Sequence, residues 1–246
     1  MNAKIGTFNF EVESSSCDFN GQLPLPYLFN LLLKASEKHA DERHFGYNDL
    51  SKQNKAWVLS RMGMYMNKYP GYDTVIRIQT WVANIERFFT RRCFRISTAD
   101  DTEIGYAQTL WAAIDLETRK PCNINELGST INDYLGAEMD FPEKKLGKIA
   151  AINNQPVLLH KPAYSDIDIN GHFNSARYIE RILDLFDIEQ FKEKSVREFE
   201  IQYLAEALPE SRLSFHLQKN DKEYFTAEIK DHQKDISTCR AAVLFG

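Results

Sequence analysis

The residues best suited to chemistry lie in one short segment of the second half of the chain. Asp168, Asn170 and His172 follow one another at spacing i, i+2 and i+4, just before a segment with helical apolar periodicity. In an extended or gently turning backbone this spacing directs all three side chains to one side, and Gly171 permits a sharp turn beside the histidine. A carboxylate can attack or activate water, an imidazole can transfer protons, and an amide can orient either group. The start of the following helix offers N–H groups for a developing oxyanion.

The same residue types are common in turns and helix caps, so the spacing alone leaves a structural role open. An internal comparison favours chemistry. The segment 18–22 (DFNGQ) precedes the first predicted helix as 168–172 (DINGH) precedes the second, 150 residues later. The first segment has Gln22 where the second has His172, which indicates one active and one inactive half.

Two similar sets of elements position these segments. Each set is predicted to be one strand, one helix and then four strands, with Asn174 as N-cap of the second helix. The first set comprises strands 5–13, 56–65, 74–84, 88–96 and 104–116 with helix 26–39; the second comprises strands 160–164, 198–205, 212–219, 224–231 and 237–245 with helix 175–186. Residues 126–155, which contain Gly128 and Pro142, are predicted to be a linker with one short helix. This order predicts an α+β fold with two similar halves.

The composition excludes several classes of protein. The 246 residues carry 35 acidic and 30 basic side chains, a net charge of −5, which disfavours general nucleic-acid binding. The four cysteines (17, 93, 122 and 239) form no C-x-x-C pair and no metal-like spacing. No stretch resembles a signal peptide or a membrane helix. We therefore expect a cytoplasmic protein that uses no metal or other cofactor.

Three motifs in order resemble the plant and bacterial fatty acyl-acyl carrier protein (acyl-ACP) thioesterases. The first half contains Thr80-Trp81-Val82, Arg91-Arg92 and the segment 107–120; the second contains the Asp-x-Asn-x-His signature within 165–178, and then Tyr203-Leu204-Ala205-Glu206. The resemblance covers nearly the whole chain. It implies a double hotdog fold, in which a curled antiparallel sheet wraps each of two central helices.

The resemblance also implies catalytic roles for Asp168, Asn170, His172 and Glu206. The family reaction is hydrolysis of a fatty acyl thioester on ACP. In the mechanism we expect, Asp168 is the nucleophile or activates water, His172 assists proton transfer, Asn170 holds one of them in register, and Glu206 orients water or His172. The plant enzymes carry a cysteine next to the glutamate, where this chain has Ala207. A cysteine mechanism at that position is therefore not expected.

The resemblance further implies a non-catalytic N-terminal repeat (1–125) with an acyl-chain pocket, the linker (126–155) and a catalytic C-terminal repeat (156–246). The pocket is expected between Leu28, Phe29, Leu32 and Leu33 of the first helix and strands bearing Met62, Met64, Trp81 and Trp111. The expected partner is ACP, an acidic protein with a phosphopantetheine-linked acyl chain, and the chain is a monomer or a homodimer. Two basic groups could dock ACP: Arg87, Arg91, Arg92, Arg95, Arg119 and Lys120, or Lys144, Lys145 and Lys148.

Three alternatives from other classes remain. A hotdog hydratase places its His five residues after the Asp and has a Pro nearby, whereas His172 follows Asp168 by four and Gly171 replaces the Pro. Nothing in the sequence excludes the narrower alternative of a thioesterase that acts on acyl-CoA. A binding module that senses acyl groups would show loss of the polar cluster in both halves, and the cluster of the second half is intact.

Overall fold

The computed structural model describes residues 4–127, 130–136, 141–142 and 144–246. The chain divides into two compact units. Unit 1 comprises the chain up to Met62 and Met66–Lys145, and unit 2 comprises Gly63–Tyr65 and Leu146–Gly246. Among the described residues, no helix has the length and apolar character needed to cross a membrane.

Unit 1 places a long helix against an antiparallel sheet. Its elements in chain order are β1 (Gly6–Glu11), α1 (Leu25–Asp41), α2 (Tyr47–Ser51), β2 (Lys55–Met66), β3 (Val75–Ile85), β4 (Phe89–Thr98) and β5 (Glu103–Asp115). The strands lie in the order β1-β3-β4-β5-β2. α1 forms because apolar residues recur at helical spacing, and Leu28, Phe29, Leu32 and Ala35 are fully buried on one face.

Unit 2 repeats this arrangement with shorter helices. Its elements are β6 (Leu158–His160), α3 (Ser175–Leu183), α4 (Ile188–Glu193), β7 (Val196–Tyr203), β8 (Leu213–Lys219), β9 (Tyr224–Asp231) and β10 (Ile236–Phe245). The order β7-β10-β9-β8-β6 is that of unit 1 read from the opposite edge, with each strand number raised by five. Two similar helix-and-sheet units confirm the predicted α+β class.

Two predicted elements of unit 2 differ from the structure. Strand 160–164 ends early, because Pro162 has no N–H for a sheet hydrogen bond, and a 3-10 turn follows at Tyr164–Asp166. Helix 175–186 ends at Leu183, and α4 was not predicted. The aromatic ring of Phe191 in α4 packs against Phe186 and Phe245, a contact between residues distant in sequence.

Part of the predicted linker packs against the core of unit 1. Leu127 and Ile131 are buried in a cluster with Ala40, Phe45 and Val82. In place of one short helix, 3-10 turns lie at Ile124–Glu126 and Thr130–Tyr134. Gly128 and positions 129, 137–140 and 143 of the predicted linker lie outside the described residues.

Candidate active site

The segment 168–172 forms a tight turn in place of the extended or gently turning backbone that the spacing predicts. The Asp168 N–H donates to the His172 carbonyl at 2.8 Å, and the Gly171 N–H donates to the Asp168 carbonyl at 3.0 Å. Asp168 Oδ1 accepts the N–H groups of Asn170 at 2.9 Å and of His172 at 3.1 Å. The carboxylate therefore shapes the turn that presents the histidine.

The first half forms the same turn. Asp18 N–H donates to the Gln22 carbonyl at 2.8 Å and Gly21 N–H to the Asp18 carbonyl at 3.0 Å. Asp18 Oδ1 accepts the N–H groups of Asn20 at 2.9 Å and of Gln22 at 3.1 Å. The shared Asp, Asn and Gly therefore produce one backbone geometry in both halves, and the chemical difference is Gln22 against His172.

Glu206 supplies the partner of His172 in unit 2. Its Oε2 lies 3.5 Å from His172 Nε2, and the side chains of His172 and Glu206 are 29% and 46% exposed. The Phe173 N–H donates to the Ala207 carbonyl at 2.8 Å, which fastens the turn to the segment after β7. The structure thus brings together two residues separated by 34 positions in the sequence.

Backbone hydrogen bonds identify the counterpart of Glu206 in unit 1. Leu23 N–H donates to the Pro70 carbonyl at 2.9 Å, as Phe173 does to Ala207. The residue before Pro70 is Tyr69, so unit 1 has Tyr69 where unit 2 has Glu206. Among the residues that the structure describes, the unit 1 positions that correspond to His172 and Glu206 therefore hold no histidine–carboxylate pair.

Three N–H groups at the start of α3 form hydrogen bonds within the chain, so these three are not the free oxyanion donors that the sequence predicts. Asn174 Oδ1 accepts the Ala176 N–H at 2.8 Å, confirming the predicted N-cap. The Asn174 carbonyl accepts the Arg177 N–H at 3.0 Å and the Tyr178 N–H at 3.3 Å. These donors are already committed to hydrogen bonds inside the protein.

Family models for acyl-ACP thioesterases match both halves of the chain. The model of the N-terminal domain matches residues 5–128, and that of the C-terminal domain matches residues 149–245. The chain belongs to the acyl-ACP thioesterase family. This confirms the resemblance seen in the motifs.

Individual acyl-ACP thioesterases agree with this membership. A crystal structure of an acyl-ACP thioesterase from Bacteroides thetaiotaomicron is 41% identical, with a TM-score of 0.94, and the match covers 100% of both chains. The 12:0-ACP thioesterase from Umbellularia californica shares the fold, with a TM-score of 0.87 at 16% identity over 100% of this chain and 95% of that one. The oleoyl-ACP thioesterase of Coriandrum sativum is 26% identical over 193 residues, 71% of this chain and 52% of that protein. The chain spans about half the length of the curated relatives it matches.

A buried cluster that the sequence did not indicate lies beside the 168–172 turn of this thioesterase-family chain. Asp166 is fully buried and accepts hydrogen bonds from the Ala163 N–H at 2.9 Å and from Arg181 Nη2 at 3.0 Å. The Ala163 N–H bonds to Asp166 Oδ2 and Arg181 to Oδ1, and His160 Nε2 lies 2.8 Å from the same Oδ2. Burial opposes ionisation of Asp166, but these hydrogen bonds outweigh it and lower the pKa of the carboxyl below its ordinary value. Asp166 lies within the 165–178 segment that resembles the family signature, but its structural role is seen only from its contacts in the folded chain.

The two buried cysteines of this family member, Cys93 and Cys239, are poor nucleophiles. Burial raises the pKa of the Cys93 thiol to about 12, and burial raises the pKa of Cys239 well above its ordinary value. Ala207, at the position of the plant cysteine, is fully buried. Among the described residues, no group of His, Cys, Asp or Glu has the arrangement of a metal site.

Unit 1 contains a cavity of about 290 Å³. Leu33 and Trp111 of the expected pocket line it, whereas Leu28, Phe29, Leu32, Met62, Met64 and Trp81 are buried core residues. The remaining lining residues are Ser36, Glu37, Ala40, Phe45, Gly46, Tyr47, Trp57, Val82, Thr90, Arg92 and Ile131.

The structure changes the first candidate docking surface. Arg92 is 5% exposed and lines the cavity, so its assignment to a surface patch is wrong. Arg95 is ion-paired with Asp101 at 3.1 Å and with Glu103 at 3.3 Å, which neutralises its charge. The exposed members of this group are Arg87, Arg119 and Lys120, and Arg91 is half-buried.

Proposed function

We propose that the protein hydrolyses fatty acyl-ACP thioesters and releases free fatty acid and ACP, which ends elongation of the fatty acid. The observation that carries the proposal is the His172–Glu206 contact, present in unit 2 and replaced by Gln22 and Tyr69 in unit 1. An imidazole next to a carboxylate at a half-exposed turn is suited to general acid–base chemistry. Membership of the family and the relatives described above support the substrate class.

In the mechanism we propose, His172 handles the protons and water is the nucleophile. His172 takes a proton from water as the water oxygen attacks the thioester carbonyl carbon. The tetrahedral intermediate then breaks its C–S bond, and His172 returns the proton to the departing thiolate. Glu206 orients the imidazole and stabilises its charged form.

Asp168 and Asn170 have proposed roles in placing these groups. Asp168 Oδ1 accepts the His172 N–H, as Asp18 Oδ1 accepts the Gln22 N–H in the inactive half. Because both halves retain this bond, it supports a positioning role for Asp168 rather than attack on the carbonyl. Asn170 is exposed beside the histidine, where its amide can orient the substrate or water.

ACP is the proposed partner, and its acidic surface would meet the exposed Arg87, Arg119 and Lys120 of unit 1 or the lysines 144, 145 and 148. The four free cysteines favour a reducing, cytoplasmic location. Either a monomer or a homodimer is compatible with this function.

The test is release of free fatty acid from a series of acyl-ACPs of different chain length, with the matching acyl-CoAs assayed beside them. We expect hydrolysis of acyl-ACP at one or more chain lengths and faster turnover than with acyl-CoA. His172→Ala, purified in the same way, excludes a contaminating esterase. Absence of hydrolysis from every acyl-ACP would overturn the proposal, and a higher kcat/KM on acyl-CoA would reassign the substrate.

A further inference from the structure

The cavity of unit 1 contains a buried positive charge. Arg92 lies on β4, is 5% exposed and forms part of the cavity wall. Most of the surrounding wall is apolar and comprises Leu33, Ala40, Phe45, Trp57, Val82 and Trp111. A guanidinium in such surroundings needs partners that replace its lost hydration.

Two neutral acceptors hold one nitrogen of the guanidinium. Arg92 Nη1 donates to Thr80 Oγ1 at 3.2 Å and to His39 Nδ1 at 3.1 Å. The Thr80 hydroxyl itself donates to the Cys93 carbonyl, and His39 Nε2 lies 3.2 Å from the Lys4 carbonyl. These bonds make Thr80 Oγ1 and His39 Nδ1 acceptors and leave both side chains uncharged.

The charge of Arg92 has no counterion in the described part of the chain. Its hydrogen bonds there, to Thr80 and His39, both use Nη1. Thr90 adds a buried hydroxyl to the same cavity, while Glu37 of α1 lies at an exposed position. A buried cation without an anion is strongly destabilising, so this arrangement is suited to an anion that enters the cavity.

We propose that this cavity binds an alkyl carboxylate, with the carboxylate on the Arg92 guanidinium and the alkyl chain against the apolar wall. An arginine presents paired N–H donors that match the two oxygens of a carboxylate. The volume of about 290 Å³ is close to the lower end of ligand pockets, so a chain of medium length fits. Binding of this ligand does not require thioester hydrolysis by the second unit.

Tryptophan fluorescence gives a direct measurement of this binding, because two of the three tryptophans, Trp57 and Trp111, line the cavity. Decanoate, decanol and decylamine share one alkyl chain and differ in the head group. We expect the wild-type chain to bind decanoate at least about 10-fold more tightly than decanol, with decylamine weakest. Equal binding of decanoate and decanol would overturn the proposal.

Two arginine variants locate the anion. Arg92→Met should remove the preference for decanoate, whereas Arg77→Met, which removes a surface arginine paired with Asp101, should retain it. Retention of the preference in folded Arg92→Met would overturn the proposal. If Arg92→Met does not fold, the head-group comparison on the wild-type chain still decides, because equal affinities there contradict an anion site.

Such a carboxylate has two sources, a free fatty acid or the far end of a bound acyl chain. Competitive inhibition of decanoyl-ACP hydrolysis by decanoate, weakened in Arg92→Met, assigns the free acid. A higher kcat/KM for the decanedioyl half-thioester than for the decanoyl thioester, lost in Arg92→Met, assigns the chain end. The fluorescence titration stands whether or not the chain hydrolyses acyl-ACP, so the two proposals can fail separately.

Discussion

The carboxylate of Glu206 lies 3.5 Å from His172 Nε2, so a change at this single residue should affect the reaction rate strongly. Glu206→Gln keeps the size of the side chain and removes its charge, so the charged imidazole formed during the reaction loses its counterion. We expect kcat/KM on acyl-ACP to fall by about 10²-fold, within the range of general acid–base effects. Steady-state kinetics on the folded variant measures this loss.

Tyr69→Phe is the matched control, because Tyr69 occupies the position of Glu206 in unit 1. Its kcat/KM should stay near that of the wild-type chain. Comparable losses in both variants would indicate general damage to the fold, and an unchanged rate in Glu206→Gln would remove Glu206 from the mechanism.

At the scale of elements, the two turns make a matched pair. Gly21 and Gly171 have φ angles of +70° and +78°, and a Cβ at either position meets no atom within 4 Å. Alanine at either position therefore costs mainly backbone strain, about 1–2 kcal/mol of unfolding free energy. We expect Gly21→Ala and Gly171→Ala to lower stability equally in urea unfolding, and only Gly171→Ala to lower kcat. A drop in kcat for Gly21→Ala of the same size would contradict the division into active and inactive halves.

The buried Asp166 cluster is joined to the segment that follows the 168–172 turn, since the Asn174 N–H donates to the Asp166 backbone carbonyl at 2.8 Å. Asp166→Asn leaves Arg181 without its buried charge partner. We expect a loss of about 3 kcal/mol in unfolding free energy. Asp184→Asn removes the exposed partner of the same arginine, and its cost should stay below about 1 kcal/mol. Equal costs would show that burial of Asp166 does not matter.

At the scale of the whole molecule, His39 couples stability to pH. Burial, followed by the charges of Arg92 and Arg43, lowers the pKa of His39 from 6.5 to about 3. Below pH 6.5, His39 therefore binds a proton in the unfolded chain but stays neutral in the folded chain. The free energy of unfolding falls as the pH drops from 6.5 towards 3. We expect a loss of about 1.5 kcal/mol between pH 6.5 and 5.

His39→Asn keeps an acceptor for Arg92 but does not titrate. Its unfolding free energy should be nearly constant over that range. Asp166, Glu228 and Asp231 have lowered pKa values and lose their contribution below their ordinary range, under pH 4.5, so they do not interfere. An equal slope in wild type and His39→Asn would assign the effect elsewhere.

The sequence predicts those features that depend on residues close together in the chain. The apolar spacing of α1 and the N-cap Asn174 depend on neighbours in the chain, and both were predicted. The pairing of His172 with Glu206 was reached through family resemblance, because 34 residues separate them. Arg92 was misassigned because an arginine in a strand is usually solvated, and only the packing of β4 against α1 residue His39 shows otherwise.

The catalytic role of His172 is best tested by His172→Gln, because this substitution gives the turn of unit 2 the residue that the same turn of unit 1 already has. We expect kcat/KM on acyl-ACP to fall by at least about 10²-fold with the melting temperature unchanged. The reciprocal Gln22→His should leave the rate as in the wild-type chain. A His172→Gln variant that hydrolyses acyl-ACP at the wild-type rate would contradict the assignment of His172 and of the active half.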